Sequence, residues 1–280
     1  MKARLSRFRK ISLLFPYTNG VYFVGGAVRD ELAGRTPIDY DLAVSDRPHD
    51  FAGKLALATN GSMVTLGKKE TLIIRVLTRE RDYDISPIYG TTIEADLLKR
   101  DFTINALAYD ISSGRIIDPC GGLTDLRKKS IRMVSGEVFA SDPLRLIRAF
   151  RIGAQLNFQI EPQTDIRLSE MAHLAPNPAG ERIREELLRL FRTTRAGHYL
   201  VPMARSGILS ALFPELQRLK GCFQGKHHDK DAFDHSIDTF VQLESLHNQK
   251  KLSEPDDPAT PDQPLSSETN RGALLKCAAL

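Results

Sequence analysis

Apolar residues fall into two regimes along this chain. Short runs rich in β-branched and aromatic side chains occupy the first part, and residues at helical spacing occupy the second. Val21–Val24 is such a run and ends in Gly25-Gly26, which predicts a strand passing into a turn. Ala27–Leu32 reads as the first turns of a helix. Leu42–Val44 completes a second strand around Asp39 and Asp41. Leu72–Leu77 and Asp82–Ser86 predict two more strands with a charged turn between them. Residues 20–118 therefore read as a small mixed α/β unit.

From Asp142 to Phe191 the period changes. Leu144, Ile147 and Arg151 recur at helical spacing, as do Ile183, Leu187, Leu190 and Phe191, so this half is expected to be all-helical. Leu252–Thr269 is rich in Pro, Asp and Ser and predicts a mobile loop or linker. Gly272–Leu280 resumes an apolar pattern and stops without a cap, as in a chain cut short. Near the N-terminus, Ile11–Phe15 follows basic residues but is short and stopped by Pro16, so it is expected in a short helix rather than a signal peptide.

Composition changes this picture little. With 280 residues, 41% hydrophobic and 26% charged, the chain has room for about two domains. The net charge is +4, with Lys and Arg crowded into residues 1–10, 127–132 and 145–151. Such clusters suit a phosphate backbone or simply solvate helix faces. Cys120, Cys222 and Cys277 form no CxxC pair, which fits a reduced, cytoplasmic setting. No stretch has membrane-spanning length, so no membrane partner is expected.

Chemistry enters with Asp39-Tyr40-Asp41. Residues i and i+2 on a strand point to one face. Two carboxylates so placed repel unless a cation lies between them. Hard oxygen ligands favour Mg²⁺, which also binds substrate phosphates. Two such ions can activate an attacking hydroxyl and stabilise a leaving pyrophosphate. Upstream, Gly25-Gly26 permits close approach of backbone to a ligand, and Arg29 lies one turn into the following helix. Gly-Gly, Arg and the paired aspartates fall within seventeen residues, Gly25 to Asp41.

These residues carry a resemblance. Val24-Gly25-Gly26-Ala27-Val28-Arg29-Asp30 with Asp39-Tyr40-Asp41-Leu42 is similar to the first motif of the bacterial-type tRNA nucleotidyltransferase and poly(A) polymerase family, the class II branch of the polymerase-beta-like nucleotidyltransferases. Lys99-Arg100-Asp101-Phe102-Thr103-Ile104-Asn105-Ala106-Leu107-Ala108 resembles the second motif, usually written with two arginines. Asp118-Pro119, Gly121-Gly122 and Asp125-Leu126 resemble the third. Ser141-Asp142-Pro143-Leu144-Arg145-Leu146-Ile147-Arg148-Ala149 resembles the fourth, with Ser141 where the family usually has Glu. Glu181-Arg182-Ile183-Arg184-Glu185-Glu186-Leu187 resembles the fifth. Five ordered motifs over roughly 20–215 are far more specific than a lone pair of aspartates.

The resemblance implies an α+β fold. A polymerase-beta-like head over 1–136 is followed by an all-helical neck and body over 137–222, serving RNA and base recognition. A partial HD-like region follows over 223–280. It implies that Asp39 and Asp41 are catalytic and ligate two Mg²⁺ ions, and that Gly25, Gly26 and Arg29 hold the triphosphate. Arg100, Asp101 and Asn105 would contact the ribose and phosphates. Asp142 and Arg145, three apart on a predicted helix, would read the base. Arg148 and Arg151 would face phosphate or RNA. ATP and/or CTP would be substrates, and the partner a tRNA or other RNA 3′ end. Plainer readings stand beside these: Asp142 before Pro143 as a helix cap, Arg145 and Arg148 as a solvated face, Glu181–Glu186 as part of a support helix, and Asp84 as a surface carboxylate rather than a third acidic position.

In the tail, His227-His228 and Asp231-Ala232-Phe233-Asp234-His235-Ser236 resemble the opening of an HD-type domain. No His-Asp doublet follows His235, so hydrolase activity is expected to be absent from these residues. The reading is a template-independent enzyme adding C and/or A to tRNA, with full CCA, CC or A addition all open. A poly(A) polymerase is the alternative within the class, and an RNA-binding protein with an inactive head the alternative outside it.

Overall fold

The computed structural model describes residues 5–67, 72–223, 230–252 and 276. The chain divides into two units, residues 1–128 with 133–135, and residues 129–132 with 136–280.

The first unit is built on seven strands: β1 (Val21–Val24), β2 (Asp39–Val44), β3 (Ser62–Leu66), β4 (Ile73–Leu77), β5 (Asp82–Pro87), β6 (Ala108–Asp110) and β7 (Arg115–Ile117). Their order in the sheet is β3-β4-β5-β2-β1-β6-β7. Neighbours are antiparallel except β2 and β5, which run parallel. A parallel pair needs a long crossover. Here it contains helix α3 (Pro48–Thr59) and the β3–β4 hairpin.

One face of the sheet carries the main core. Phe23, Tyr40, Leu42, Val44, Ile74, Val76, Tyr83 and Ile85 pack against Phe8 and Ile11 of α1 (Ser6–Ser12), Val28 and Leu32 of α2 (Gly26–Leu32) and Phe51 and Leu55 of α3. Phe8 stacks on Phe23 with ring centroids 4.2 Å apart. The expected N-terminal helix thus starts earlier than the apolar run suggests, because Phe8 and Ile11 anchor it. Its two arginines have intramolecular partners: Arg7 pairs with Glu31 at 2.9 Å, and Arg9 donates to the Tyr109 hydroxyl at 3.5 Å. The other sheet face is covered in part by a smaller cluster of Val24, Ala43, Ala106, Ala108, and Ile93 and Leu97 of α4 (Ile93–Leu97). Helix α5 (Gly122–Lys128) closes against the 3₁₀ turn Thr103–Asn105. Gly122 is needed there, since a Cβ would come within 2.1 Å of the Thr103 carbonyl oxygen.

The second unit holds α6 (Val138–Ser141), α7 (Leu144–Leu156), α8 (Pro162–Glu170), α9 (Gly180–Phe191), α10 (Ala196–Arg205), α11 (Ile208–Leu212), α12 (Pro214–Gln217) and α13 (Ala232–Leu252). Among the described residues its expected all-helical character is broken by one strand pair. β8 (Ser130–Ile131) and β9 (Gln159–Ile160) form a short parallel pair, too brief to show any alternation in sequence. Gly153 of α7 lets Tyr199 of α10 approach, where a Cβ would lie 2.6 Å from the ring. Buried Glu244 of α13 accepts the Ala196 and Gly197 amides that open α10, and Lys276 donates to it at 2.6 Å. His227, His228, residues 253–269 and, apart from Lys276, the run Gly272–Leu280 lie outside the described residues. Among those described, no helix is long and apolar enough to cross a membrane.

Candidate active site

The triplet Asp-Tyr-Asp occurs twice, as residues 39–41 on β2 and 82–84 on β5. The parallel register aligns them: Asp39 with Asp82, Tyr40 with Tyr83, and Asp41 with Asp84. Alternation sends both tyrosines into the core, 3% and 1% exposed with ring centroids 5.9 Å apart, and the aspartates to the opposite face. Like charges side by side on neighbouring strands are destabilising. The structure offsets this with arginines. Arg75 of β4 is the register partner of Asp84 and donates from Nε and Nη2 to its two carboxylate oxygens, each at 2.7 Å. Asp84 is thus engaged by Arg75 beside Asp41.

Asp41 feels the crowding. Burial pushes its carboxyl up to about 6, the Asp84 and Asp39 charges push the same way, and Arg100 and Arg29 pull against them. A carboxylate held that high by burial and like neighbours is one a divalent cation would return to its charged form. The donor set at Asp39 and Asp41 therefore fits a hard cation with oxygen ligands.

The turn after β1 borders this face. Gly25 has φ +67° and ψ −135°, a conformation glycine tolerates and other residues resist. A Cβ there would lie 2.8 Å from Nη1 of Arg100 and 3.3 Å from Oδ2 of Asp41. A Cβ on Gly26 would meet the Arg29 guanidinium at 3.5 Å. Arg29 is held on two sides. Its Nε and Nη2 donate to Asp30 at 2.8 Å, and its Nη1 donates to Asn105 Oδ1 at 2.7 Å. Asn105 in turn donates to Asp101 Oδ1 at 2.9 Å, which also accepts the Phe102 amide. The structure thus brings Gly25, Gly26, Arg29, Arg100, Asp101 and Asn105 into one network around Asp41. Arg75, Asp30 and Asp96 belong to it too. The first was detectable by counting back across the charged turn from Asp84.

The remaining predicted residues lie in the second unit. Asp142 is extended, φ −146° and ψ 96°, and precedes α7 rather than sitting on it. This corrects the premise that Asp142 and Arg145 share a helical face: Pro143 starts the turn and leaves Asp142 outside. The Asp142 carboxylate accepts the Leu144 amide at 3.3 Å and Arg182 Nη2 at 3.1 Å. Arg145 donates from Nη1 to the Val138 carbonyl and to Ser141 Oγ, both at 3.3 Å. Arg148 and Arg151 share buried Glu186 of α9, at 3.4 and 2.5 Å, and Arg151 also donates to Gln155 Oε1. The Arg151 side chain is 13% exposed, that of Arg148 31%.

Residues 21–132 match the model of the Poly A polymerase head domain, and residues 157–220 match that of the probable RNA and SrmB-binding site of polymerase A. The chain is 40% identical over 195 residues to the CC-adding tRNA nucleotidyltransferase of Geobacter sulfurreducens, covering 69% of this chain and 45% of that one. It is 38% identical over 241 residues to the A-adding tRNA nucleotidyltransferase of Deinococcus radiodurans, covering 84% and 55%. A solved CCA-adding enzyme in complex with CTP superposes with a TM-score of 0.72 at 27% identity, over 91% of this chain and 61% of that one. The chain belongs to the bacterial class II tRNA nucleotidyltransferase and poly(A) polymerase family. It spans about half the length of these two sequence relatives.

Proposed function

We propose that this protein adds C and/or A, without a template, to the 3′ end of tRNA. The observation that carries the reading is the in-register pair of Asp-Tyr-Asp triplets, with the Gly25 turn, Arg29 and Arg100 gathered at Asp41. Asp39 and Asp41 would hold two Mg²⁺ ions. When bound, such ions neutralise charge on the triphosphate and favour ionisation of the attacking 3′ hydroxyl. The chain's own residues would supply positioning. The Gly25-Gly26 backbone gives the triphosphate close approach. Arg100 and Arg29 counter its charge from one side, with Asp101 and Asn105 toward the ribose. Asp142 and Arg145 would present an acceptor and donors to the base edge, and Arg148 the exposed edge of a phosphate-facing surface. Residues 1–136 would carry the chemistry, and 137–222 RNA and base recognition.

The test uses tRNA transcripts lacking all of CCA, lacking only the final A, or complete. Each is incubated with Mg²⁺ and single nucleoside triphosphates, and the products are sequenced. Addition of C and/or A limited to the missing positions supports the reading. Long A tails on any RNA 3′ end indicate poly(A) synthesis, and no addition on any substrate contradicts it.

A further inference from the structure

Asp96 of α4 attracts no notice in sequence, yet its nearly buried carboxylate joins two parts of the site. Oδ1 accepts the Tyr89 amide at 3.0 Å. Oδ2 accepts both Nε and Nη2 of Arg100, at 3.1 and 3.0 Å. Arg100 lies four residues on, just past the end of α4, so the continuing turn brings it within reach and the carboxylate sets which edge of the guanidinium it holds. A guanidinium is a rigid planar fork. With its Nε and Nη2 edge on Asp96, the edge left over is Nη1, the atom found at the Gly25 turn beside Asp41. The same carboxylate ties down the chain that leaves β5, the strand of Asp84, through the Tyr89 amide.

We propose that Asp96 is a positioning residue for nucleotide binding: it fixes the Arg100 guanidinium so that Nη1 meets the triphosphate over the Gly25 turn. This rests on the reading above that Arg100 grips the incoming nucleotide. Fixing the side chain before binding removes the ordering cost from the binding step.

Asp96→Asn separates this role from support of the fold. Asparagine keeps one carbonyl oxygen for the Tyr89 amide, but its NH₂ cannot accept from Arg100. On the full chain, Kd for Mg²⁺-CTP and Mg²⁺-ATP is measured by calorimetry, and KM and kcat on a tRNA lacking CCA. Asp96→Asn is expected to raise Kd and KM about tenfold or more, since both hydrogen bonds that orient the guanidinium are lost, with a smaller change in kcat and a Tm close to that of the parent. Arg100→Ala should raise Kd at least as much, and adding Asp96→Asn to it should change nothing further, since Asp96 acts through Arg100. If Asp96→Asn fails to fold, Asp96→Glu carries the test. It keeps the charge but displaces the guanidinium, so it should raise Kd at parental Tm. An unchanged Kd in the folded variant, or independent effects of Asp96→Asn and Arg100→Ala, overturns the proposal. Parent protein that binds nucleotide without extending RNA sinks the proposed reaction and leaves the Asp96 comparison readable. Parent protein that binds neither nucleotide overturns both.

Discussion

Asp41 and Asp84 are register partners across the parallel strands β2 and β5, and Arg75 grips the second carboxylate from both oxygens at 2.7 Å. Asp41 is left between burial and like charge, offset by Arg100 and Arg29. An apo site built this way is strained electrostatically above the pH at which Asp41 ionises.

That strain has a sign. The folded carboxyl of Asp41 titrates near 6, above its ordinary 3.8, so between these values the folded state binds more protons than the unfolded one. Stability therefore falls as pH rises through this window and stays lower above it. Asp41→Asn should raise the free energy of unfolding at pH 8 without divalent metal, by no more than about 3 kcal/mol, with a higher Tm, and the gain should vanish near pH 4. Mg²⁺ should stabilise the parent at pH 8 and not the variant. Thermal unfolding against pH checks this, and a variant less stable than the parent at pH 8 without metal refutes it.

Gly25→Ala joins two penalties. A positive φ with extended ψ costs a non-glycine residue about 1–3 kcal/mol. The new Cβ also displaces the flexible tip of Arg100, 2.8 Å away. Nucleotide affinity should fall by more than the loss of stability explains. Equal Kd in folded Gly25→Ala and the parent would separate the turn from nucleotide binding.

Arg148 and Arg151 should behave differently despite sharing Glu186. Arg151→Met removes a buried ion pair and should lower Tm, a loss of about 3–5 kcal/mol, with little effect on the salt dependence of RNA binding. Arg148→Ala, the more exposed of the two, should flatten that salt slope by about one phosphate contact. Filter binding across a salt series and thermal unfolding distinguish them. A flattened slope in Arg151→Met would place this buried guanidinium on the RNA.

Selectivity tests the residues before α7. Asp142→Asn keeps an oxygen for the Leu144 amide but weakens the pairing with Arg182. Discrimination among ATP, CTP, GTP and UTP should relax while Tm changes by less than the roughly 1 kcal/mol of a lost cap implies. Arg182→Ala should relax it less, because that side chain is half exposed and acts through Asp142. Single-nucleotide incorporation on one tRNA substrate reads both. Parental ratios in Asp142→Asn would leave it a cap.

Much of the head was legible because β-branched runs and glycine turns punctuate it. Val21–Val24 matches β1 to the residue, and the expected strand 82–86 differs from β5 by one. Strand β3 was not legible: all five of its residues are exposed on a sheet edge, so burial leaves no alternation to read. The aspartates and glycines of the site stand out because their chemistry depends on local spacing. Arg75 shows only once the β4–β5 register is laid across the charged turn to Asp84, and Asp96 does not stand out because an acidic residue four before an arginine reads as an ordinary surface ion pair of a helix. Asp142 was misplaced onto the helix because proline at a helix start fits either side of the boundary.

The most direct test of the central claim exchanges ligand and metal together. Asp39→Cys and Asp41→Cys replace a hard oxygen with a soft sulfur, which disfavours Mg²⁺ and accepts softer ions. Nucleotide addition to a tRNA lacking CCA is measured for each folded variant with Mg²⁺ and with Mn²⁺ or Cd²⁺. The account predicts that both variants are inactive with Mg²⁺ and regain measurable addition with the softer ions, while the parent works with Mg²⁺. Near-parental turnover of Asp41→Cys with Mg²⁺ alone would contradict it.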